Sequence, residues 1–250
     1  YADWFLPMAK EFHRVLAEDG SMVLNLGPAY LPGAPVQSLY QERLVLRLID
    51  ELGFYLAQRF YWQNPAKLPA PAEWVTVRRI RVKDSVEQVW WLSKSPNPKA
   101  DNRRVLTPYS TAQVKVLKSG WKAQSRPSGH ALTGDFAKNK GGAIPGNMLV
   151  AANTSSNDRY LRGCREAGIK PHPARFPAAL PEFFIKFLTE EGDTVADFFA
   201  GSNTTGEVCE RLNRRWIATE KSLEYLRGSI LRFPGAEWLP GGKEKNENCR

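Results

Sequence analysis

Apolar residues recur at helical spacing between Asp3 and Asp19, at Phe5, Met8, Phe12, Val15 and Leu16. The pattern predicts a helix with Pro7 in its first turn and Gly20 as its stop. Met22 to Leu26 follows as an apolar strand, so helix, tight turn and strand make half of an α/β unit. Leu39 to Leu52 predicts a second helix ending at Gly53, with Leu44, Leu46, Leu48, Ile49 and Leu52 on one broad apolar face. The runs Phe54 to Gln63 and Val86 to Ser93 are nearly continuous in apolar residues, as strands covered on both faces are. Trp90 and Trp91 read as core. Between these strands, the stretch from Asn64 to Pro71 holds three prolines in eight residues and is a pre-stiffened loop.

The pattern then breaks. Asn97 to Lys170 is weak in periodicity and rich in Gly, Pro, Ser and Asn, yet Tyr109, Trp121, Phe136 and Tyr160 punctuate it as anchors, which argues against simple disorder. Gly141 to Gly146 reads as a hinge or close-approach loop. Periodicity returns in a helix from Leu180 to Glu191, with Phe183, Phe184, Phe187 and Leu188 on its buried side, Pro181 in its first turn and Gly192 at its end. Thr194 to Phe199 is a short strand, Gly206 to Leu212 a helix, and Arg215 to Glu220 a second strand of the same unit. From Phe233 onward the Gly-, Lys- and Glu-rich tail is expected to fray.

Charge sharpens this division. The chain of 250 residues has a net charge of +9, and residues 97 to 170 alone hold 13 Lys or Arg against 4 Asp or Glu, so the whole excess lies in one segment. A neutral scaffold with one basic insert is the electrostatic footprint of a polyphosphate binder, although charge alone does not separate DNA from RNA or an anionic membrane. Apolar runs of membrane-spanning length and a signal-peptide pattern are both absent from the sequence. Cys164, Cys209 and Cys249 form no C-x-x-C pair and leave an odd count, which points to a reduced cytoplasm and away from metal binding.

The chemistry concentrates at Asp197-Phe198-Phe199-Ala200-Gly201-Ser202-Asn203-Thr204-Thr205-Gly206. In a strand-loop-helix turn an acid closes the strand, and a glycine lets a ligand lie against the backbone. Ser and Thr hydroxyls then stand at a helix N-terminus. That is a small-cofactor cradle. The spacing of Gly201 and Gly206 does not supply G-x-G-x-x-G, so a nicotinamide dinucleotide is disfavoured. Glu220, at the tip of the second strand, either takes both hydroxyls of a ribose or is a solvated acid at a helix start.

The D-x-F-x-G-S-x-T-T pattern of residues 197–205, with His172-Pro173-Ala174-Arg175-Phe176-Pro177 before it, resembles the S-adenosylmethionine (AdoMet) motifs of amino-group DNA methyltransferases. More narrowly, the chain is similar to the PvuII-type cytosine-N4 methyltransferases of restriction-modification systems. The similarity runs through Asp3-Trp4-Phe5-Leu6, Asn64-Pro65-Ala66-Lys67-Leu68-Pro69, Glu73-Trp74-Val75, Val89-Trp90-Trp91, Arg126-Pro127-Ser128-Gly129-His130 and Leu180-Pro181-Glu182-Phe183-Phe184-Ile185.

The resemblance implies an α/β fold with a doubly wound, mostly parallel sheet, circularly permuted so that the catalytic half (1–96) precedes the AdoMet-binding half (171–232), with a basic target-recognition insert (97–170) between them and a frayed tail (233–250). It implies AdoMet held by Asp197, Phe199, Gly201, Ser202, Thr204, Thr205 and Glu220, with His172, Pro173 and Phe176 flanking its methionine half. Double-stranded DNA is the implied partner, beside a cognate restriction endonuclease without direct contact. In such a complex Lys67, Arg78, Arg79 and Arg81 line the DNA cleft, although the same cations also fit a solvated strand edge protected by charge. Arg103, Arg104, Lys115, Lys118, Lys122, Arg126, Lys138 and Lys140 are the implied recognition cations, and His130 reads as structural or phosphate-contacting.

Exocyclic amino methylation in this family uses an S/D-P-P-aromatic loop, and no such tetrapeptide occurs in the sequence. Thr107-Pro108-Tyr109 lacks the second proline and reads as loop punctuation. The loop is expected upstream of Tyr1, so no catalytic residue is named. Three function classes follow: a cytosine-N4 methyltransferase that flips its target base, an adenine-N6 enzyme on the same scaffold, and a catalytically dead DNA-binding module.

Overall fold

The computed structural model describes residues 1–120, 124–125, 131–132, 138–154 and 158–237. These divide into two compact units, one of residues 1–63, 69–150 and 186–189, the other of residues 64–68, 151–185 and 190 onward.

The first unit opens with helix α1 (Ala2–Val15) and strand β1 (Ser21–Leu26). Helix α1 stops short of Gly20, because Leu16 already has extended backbone angles, and Pro7 lies inside it rather than at its start. Helix α2 (Tyr40–Leu52) ends as predicted at Gly53, whose φ of +76° and N–H bonded to the Ile49 carbonyl close the last turn. Its buried stripe is Gln41, Leu44, Val45 and Leu48, while Leu46 is exposed. The period of 3.6 residues places Leu46 half a turn from that stripe, and the leucine-rich composition hid this.

Strands β2 (Tyr55–Gln63) and β3 (Val86–Ser93) complete the frame with β6 (Met148–Val150), in the order β1-β3-β2-β6. The expected mostly parallel sheet is mixed in this unit: β3 runs antiparallel to both β1 and β2, and only β2 and β6 pair in parallel. The cause is the connection. Strands β1 and β2 share a direction and are joined through α2, as a parallel crossover requires, whereas residues 64–85 supply no such helix, and β3 returns between them. That connection carries one wide turn, Glu73–Val77, of π-helical form.

Ten buried residues from α1, α2, β1, β3 and the turn at Phe54 form the core, including Phe5, Leu44, Leu48, Phe54, Trp90 and Leu92. His13 packs its ring edge-on against Phe54 at 4.8 Å. The two neighbouring tryptophans differ. Trp91 donates its indole N–H to Ser21 Oγ at 2.8 Å, while the buried indole nitrogen of Trp90 has no partner among the described residues and its ring lies under the Arg59 guanidinium at 4.2 Å. The segment after Ser93 is more regular than its composition implied. It holds helix α3 (Thr111–Ser119), capped by Ser110 Oγ on the Gln113 N–H, and the short pair β4 (Gln124–Ser125) and β5 (Ala131–Leu132). Gly142 is a close-approach position, since a Cβ there would stand 2.7 Å from the Thr107 carbonyl oxygen.

The second unit begins with helix α4 (Arg159–Glu166), followed by α5 (Ala179–Leu188), whose C-terminal turn belongs to the first unit. Strand β7 (Thr194–Asp197), helix α6 (Thr204–Arg211), strand β8 (Arg215–Ala218) and helix α7 (Leu223–Ser229) then form a parallel β-α-β arrangement with a following helix. Ile185, Val208 and Cys209 make its buried centre, with Val195 and Trp216 packed on it. Phe233, which composition assigned to the tail, stacks on Trp216 at 4.9 Å, and the expectation of fraying at 238–250 lies outside the described residues. Among the described residues no helix is long and apolar enough to cross a membrane.

Trp90→Ala is expected to lower the unfolding free energy by about 3–5 kcal/mol, whereas Trp90→Phe, which removes one ring and an unpartnered N–H and leaves a smaller cavity, is expected to cost clearly less. Urea unfolding followed by far-UV circular dichroism checks both. Equal losses would show that the second ring or its N–H, and not the bulk of the side chain, carries the stabilisation.

Candidate functional site

The loop between β7 and α6 is fixed by two carboxylates, one at the tip of each parallel strand. Asp197 accepts the Phe199 N–H at 3.1 Å and the Thr205 hydroxyl at 2.6 Å, so it ties the loop's start to the first turn of α6. Glu220 accepts the Gly201 N–H at 2.8 Å and the Ser222 N–H at 2.9 Å. Backbone bonds continue the β7–β8 register into the loop: the Thr219 N–H donates to Asp197 O at 2.9 Å and the Ala200 N–H to Thr219 O at 3.1 Å.

Gly201 stands where a side chain has little room. Its φ is +53°, and a Cβ there would lie 3.2 Å from three atoms of the His172 ring. Asn203 is also left-handed, at φ +55°, and its side chain caps α6 by accepting the Gly206 N–H at 3.0 Å. Asparagine tolerates this region because its short amide bonds locally. The N–H groups of Ser202, Thr204 and Thr205 have no acceptor among the described residues, and helix geometry leaves such donors at a first turn.

His172 closes one side of this loop. Its N–H donates to Tyr160 Oη at 2.8 Å, and its ring stands edge-on to Tyr225 at 4.4 Å. Its Nδ1 is buried with no partner among the described residues. Pro173 is exposed and Phe176 half-buried, while Phe199 leaves 53% of its surface exposed beside Gly201. Ser202 and Thr204 are buried, 3.3 Å apart through their hydroxyls, so they shape the loop from within. Behind the loop, burial pushes the Cys209 thiol up to about 11. An open cleft of about 800 Å³ is lined by Trp216, Leu226 and Phe233, with Asn203, Glu207 and Arg232 also on its wall.

A bare backbone at positive φ, a fixed carboxylate at each strand tip and unpaired N–H groups form a cradle for a small polar ligand. The family model for N6/N4 methyltransferases, described as DNA methylase, matches residues 1–231. The chain belongs to the DNA methylase family. It is 52% identical over 236 residues to the type II methyltransferase M.PvuII of Proteus hauseri, a match that spans 93% of this chain and 70% of the relative. The solved structure of the PvuII DNA methyltransferase, described as cytosine-N4-specific, superposes with a TM-score of 0.77 at 47% identity over 93% of this chain and 70% of that one. The M1.HpyAVI–SAM complex, at 19% identity and a TM-score of 0.57 over 92% of this chain and 82% of that one, shares the fold alone.

For a DNA methylase, the cations that sequence singled out differ in their surroundings. Arg78, Arg79, Lys115, Lys118, Lys138 and Lys140 are exposed. Arg78 lies over the Trp74 ring at 5.2 Å, and Arg79 is left-handed at φ +53°. Others have structural bonds. Arg81 donates to the Ile80 and Pro35 carbonyls at 2.7 and 2.9 Å, and Arg104 donates to Thr189 O at 2.7 Å. Arg103 pairs with Asp101, whose carboxyl its side chain and backbone N–H lower to about 2. Lys67 is half-buried in the second unit. Lys122, Arg126 and His130 lie outside the described residues.

Sequence reasoning missed Tyr160 as part of this site, having placed it in the basic segment, and missed Arg232 entirely. A lone arginine inside Ile230-Leu231-Arg232-Phe233 is the one signal that could have marked a buried charge. No group of three His, Cys, Asp or Glu residues among the described residues could hold a metal.

Proposed function

We propose that this chain is a site-specific DNA methyltransferase that moves a methyl group from AdoMet to the exocyclic N4 of a flipped cytosine in duplex DNA. The observation that carries this reading is the 52% identity to M.PvuII across 93% of the chain, joined to the likeness to a structure described as cytosine-N4-specific.

The cradle fits AdoMet by its donor set. Gly201 offers backbone without a side chain, and the unpaired N–H groups of Ser202, Thr204 and Thr205 suit a polar ligand at the start of α6. Each Glu220 oxygen takes one backbone N–H and keeps a lone pair for a ribose hydroxyl. Asp197 orders the same loop through Phe199 and Thr205. Phe199 gives an exposed aromatic face for the adenine, and His172, Pro173 and Phe176 flank the methionine half. When bound, AdoMet supplies an electrophilic methyl group on a sulfonium centre. The chain's part is to hold that group and exclude alternatives, and no side chain of residues 1–250 is assigned the proton or the target amine.

On the DNA side, Lys115 and Lys118 stand three residues apart on one exposed face of α3, a spacing that lets both meet one phosphate strand. Arg78, Arg79, Arg81, Lys67 and the remaining cations of residues 97–170, with Lys122, Arg126, His130, Lys138 and Lys140 among them, extend the set. Arg103 and Arg104 have carboxylate or carbonyl partners in the free protein and serve the segment's shape as well. In a bacterial cytoplasm the methylation would protect sites from a cognate restriction endonuclease without direct contact, and on this reading residues 1–96 would be the catalytic half and residues 171–232 the AdoMet half.

Tritiated methyl transfer from AdoMet to duplex DNA, followed by nucleoside analysis, tests the activity. N4-methylcytosine is expected, N6-methyladenine would move the chain to the adenine class, and DNA binding without transfer would make it a binding module. Gly201→Val should abolish AdoMet binding in an equilibrium titration, because its side chain meets the His172 ring at a backbone angle that L residues avoid. Unchanged affinity would mean that the cradle is misassigned. Replacing Lys115 and Lys118 together by Glu should weaken duplex binding and flatten the plot of log K against log salt by about two units of slope. A parallel line would remove α3 from the phosphate contacts.

A further inference from the structure

Arg232 is 6% exposed, at the end of the 3-10 turn Ile230–Arg232, and a buried guanidinium persists only where its donors are used. Its Nε donates to the Ser202 carbonyl at 2.5 Å, one Nη to Ser202 Oγ at 3.1 Å and the other Nη to the Glu207 carboxylate. The guanidinium also lies 4.7 Å from the centre of the Tyr160 ring. Tyr160 is fully buried, and its hydroxyl accepts the His172 N–H. Arg232 therefore grips one residue of the cradle by both backbone and side chain, and rests on the ring that anchors the histidine facing Gly201.

That residue sits where the backbone most needs holding. Ser202 lies between Gly201 at φ +53° and Asn203 at φ +55°, and a non-glycine residue in this region relaxes unless its surroundings fix it. The Asn203 side chain accepts the Gly206 N–H, the N–H of the Ser202–Asn203 peptide donates to Ala200 O at 2.6 Å, and Arg232 holds the carbonyl end of that same peptide. Without Arg232 the peptide is held through its N–H alone, its carbonyl end is released, and the turn that presents the N–H groups of Ser202, Thr204 and Thr205 is less firmly fixed.

We propose that Arg232 is a positioning residue of the AdoMet site, which pre-organises the Gly201–Asn203 turn for the cofactor without touching it. The inference rests on the cofactor reading above. Met in place of Arg232 keeps an unbranched chain of similar reach and removes every donor, and Lys keeps the charge but cannot span the Ser202 carbonyl and hydroxyl at once. Ile185→Ala, which removes packing from the same unit's core and leaves the Ser202 contacts alone, serves as the stability control.

The test is AdoMet titration by calorimetry together with melting temperature in the presence and absence of AdoMet. Arg232→Met is expected to raise the AdoMet Kd by about tenfold or more, the loss of a buried hydrogen-bond donor, while Kd for a random duplex stays within about twofold. Arg232→Lys should fall between it and wild type. Ile185→Ala should lower the melting temperature and keep its AdoMet-dependent rise. Wild-type AdoMet affinity in Arg232→Met, or in Arg232→Lys if the Met variant does not fold, overturns the inference. So does a weakened AdoMet affinity in Ile185→Ala equal to that in Arg232→Met, because stability alone would then account for it. A wild-type protein that binds DNA and no AdoMet removes the cofactor reading itself, and the inference with it.

Discussion

The site depends on two carboxylates spending their lone pairs on backbone N–H groups across a short parallel strand pair. Asp197 and Glu220 stand at the tips of β7 and β8, and each accepts an N–H of the loop that leaves β7. A carboxylate that accepts backbone donors fixes a loop more firmly than side-chain packing, because the bonds are charge-assisted and directional. The parallel register brings the tips level, with Asp197 opposite Ala218 and the next β8-side residue, Thr219, donating back to Asp197. Thr219 also donates its hydroxyl to Phe198 O at 3.0 Å. The loop is thus stitched from both sides, and Ser202 and Thr204 are buried within it.

Most of this was legible in the sequence, for a physical reason. Elements that bury one stripe or alternate faces leave a periodic trace, and α2, β3, β7 and β8 were found within one or two residues of their ends. Asp197, Gly201 and Glu220 were visible because a strand tip, a bare backbone and a second strand tip each demand a particular residue type at a short, fixed distance. Whole-chain resemblance then supplied what local spacing could not, namely the methylase family.

What remained hidden was non-local. The antiparallel return of β3 leaves no mark in its own residues, since a buried strand reads alike in either direction. Helix α7 is short and half exposed, so its apolar stripe is too brief to show. Tyr160 lies in a segment whose composition is dominated by cations, yet the chain from residue 151 packs with the second unit, and the ring ends fully buried there. Arg232 follows α7 directly and pairs with residues 25 and 30 positions earlier, a separation at which no sequence window carries information.

The basic segment follows a different rule from the cradle. Among the described residues of the first unit its fixed points include the Thr107–Ala143 bridge, the Tyr109 hydroxyl accepting the Lys140 N–H at 2.7 Å, the Asn147 amide on the Arg59 carbonyl at 2.9 Å and the parallel pairing of β6 with β2. Among its described residues Lys115, Lys118, Lys138 and Lys140 are exposed, where an ammonium keeps its hydration and could exchange it for a phosphate. A cofactor loop must be built rigid because its ligand is small and offers few contacts to offset disorder. A surface for a polyanion gains from many weak cations on a loosely tied frame, since each contact adds to affinity and none has to be placed within half an ångström. Under the proposed function, tight backbone bonding at Gly201–Asn203 would serve a small cofactor, and the exposed Lys115, Lys118 and Lys140 would serve a polyanion.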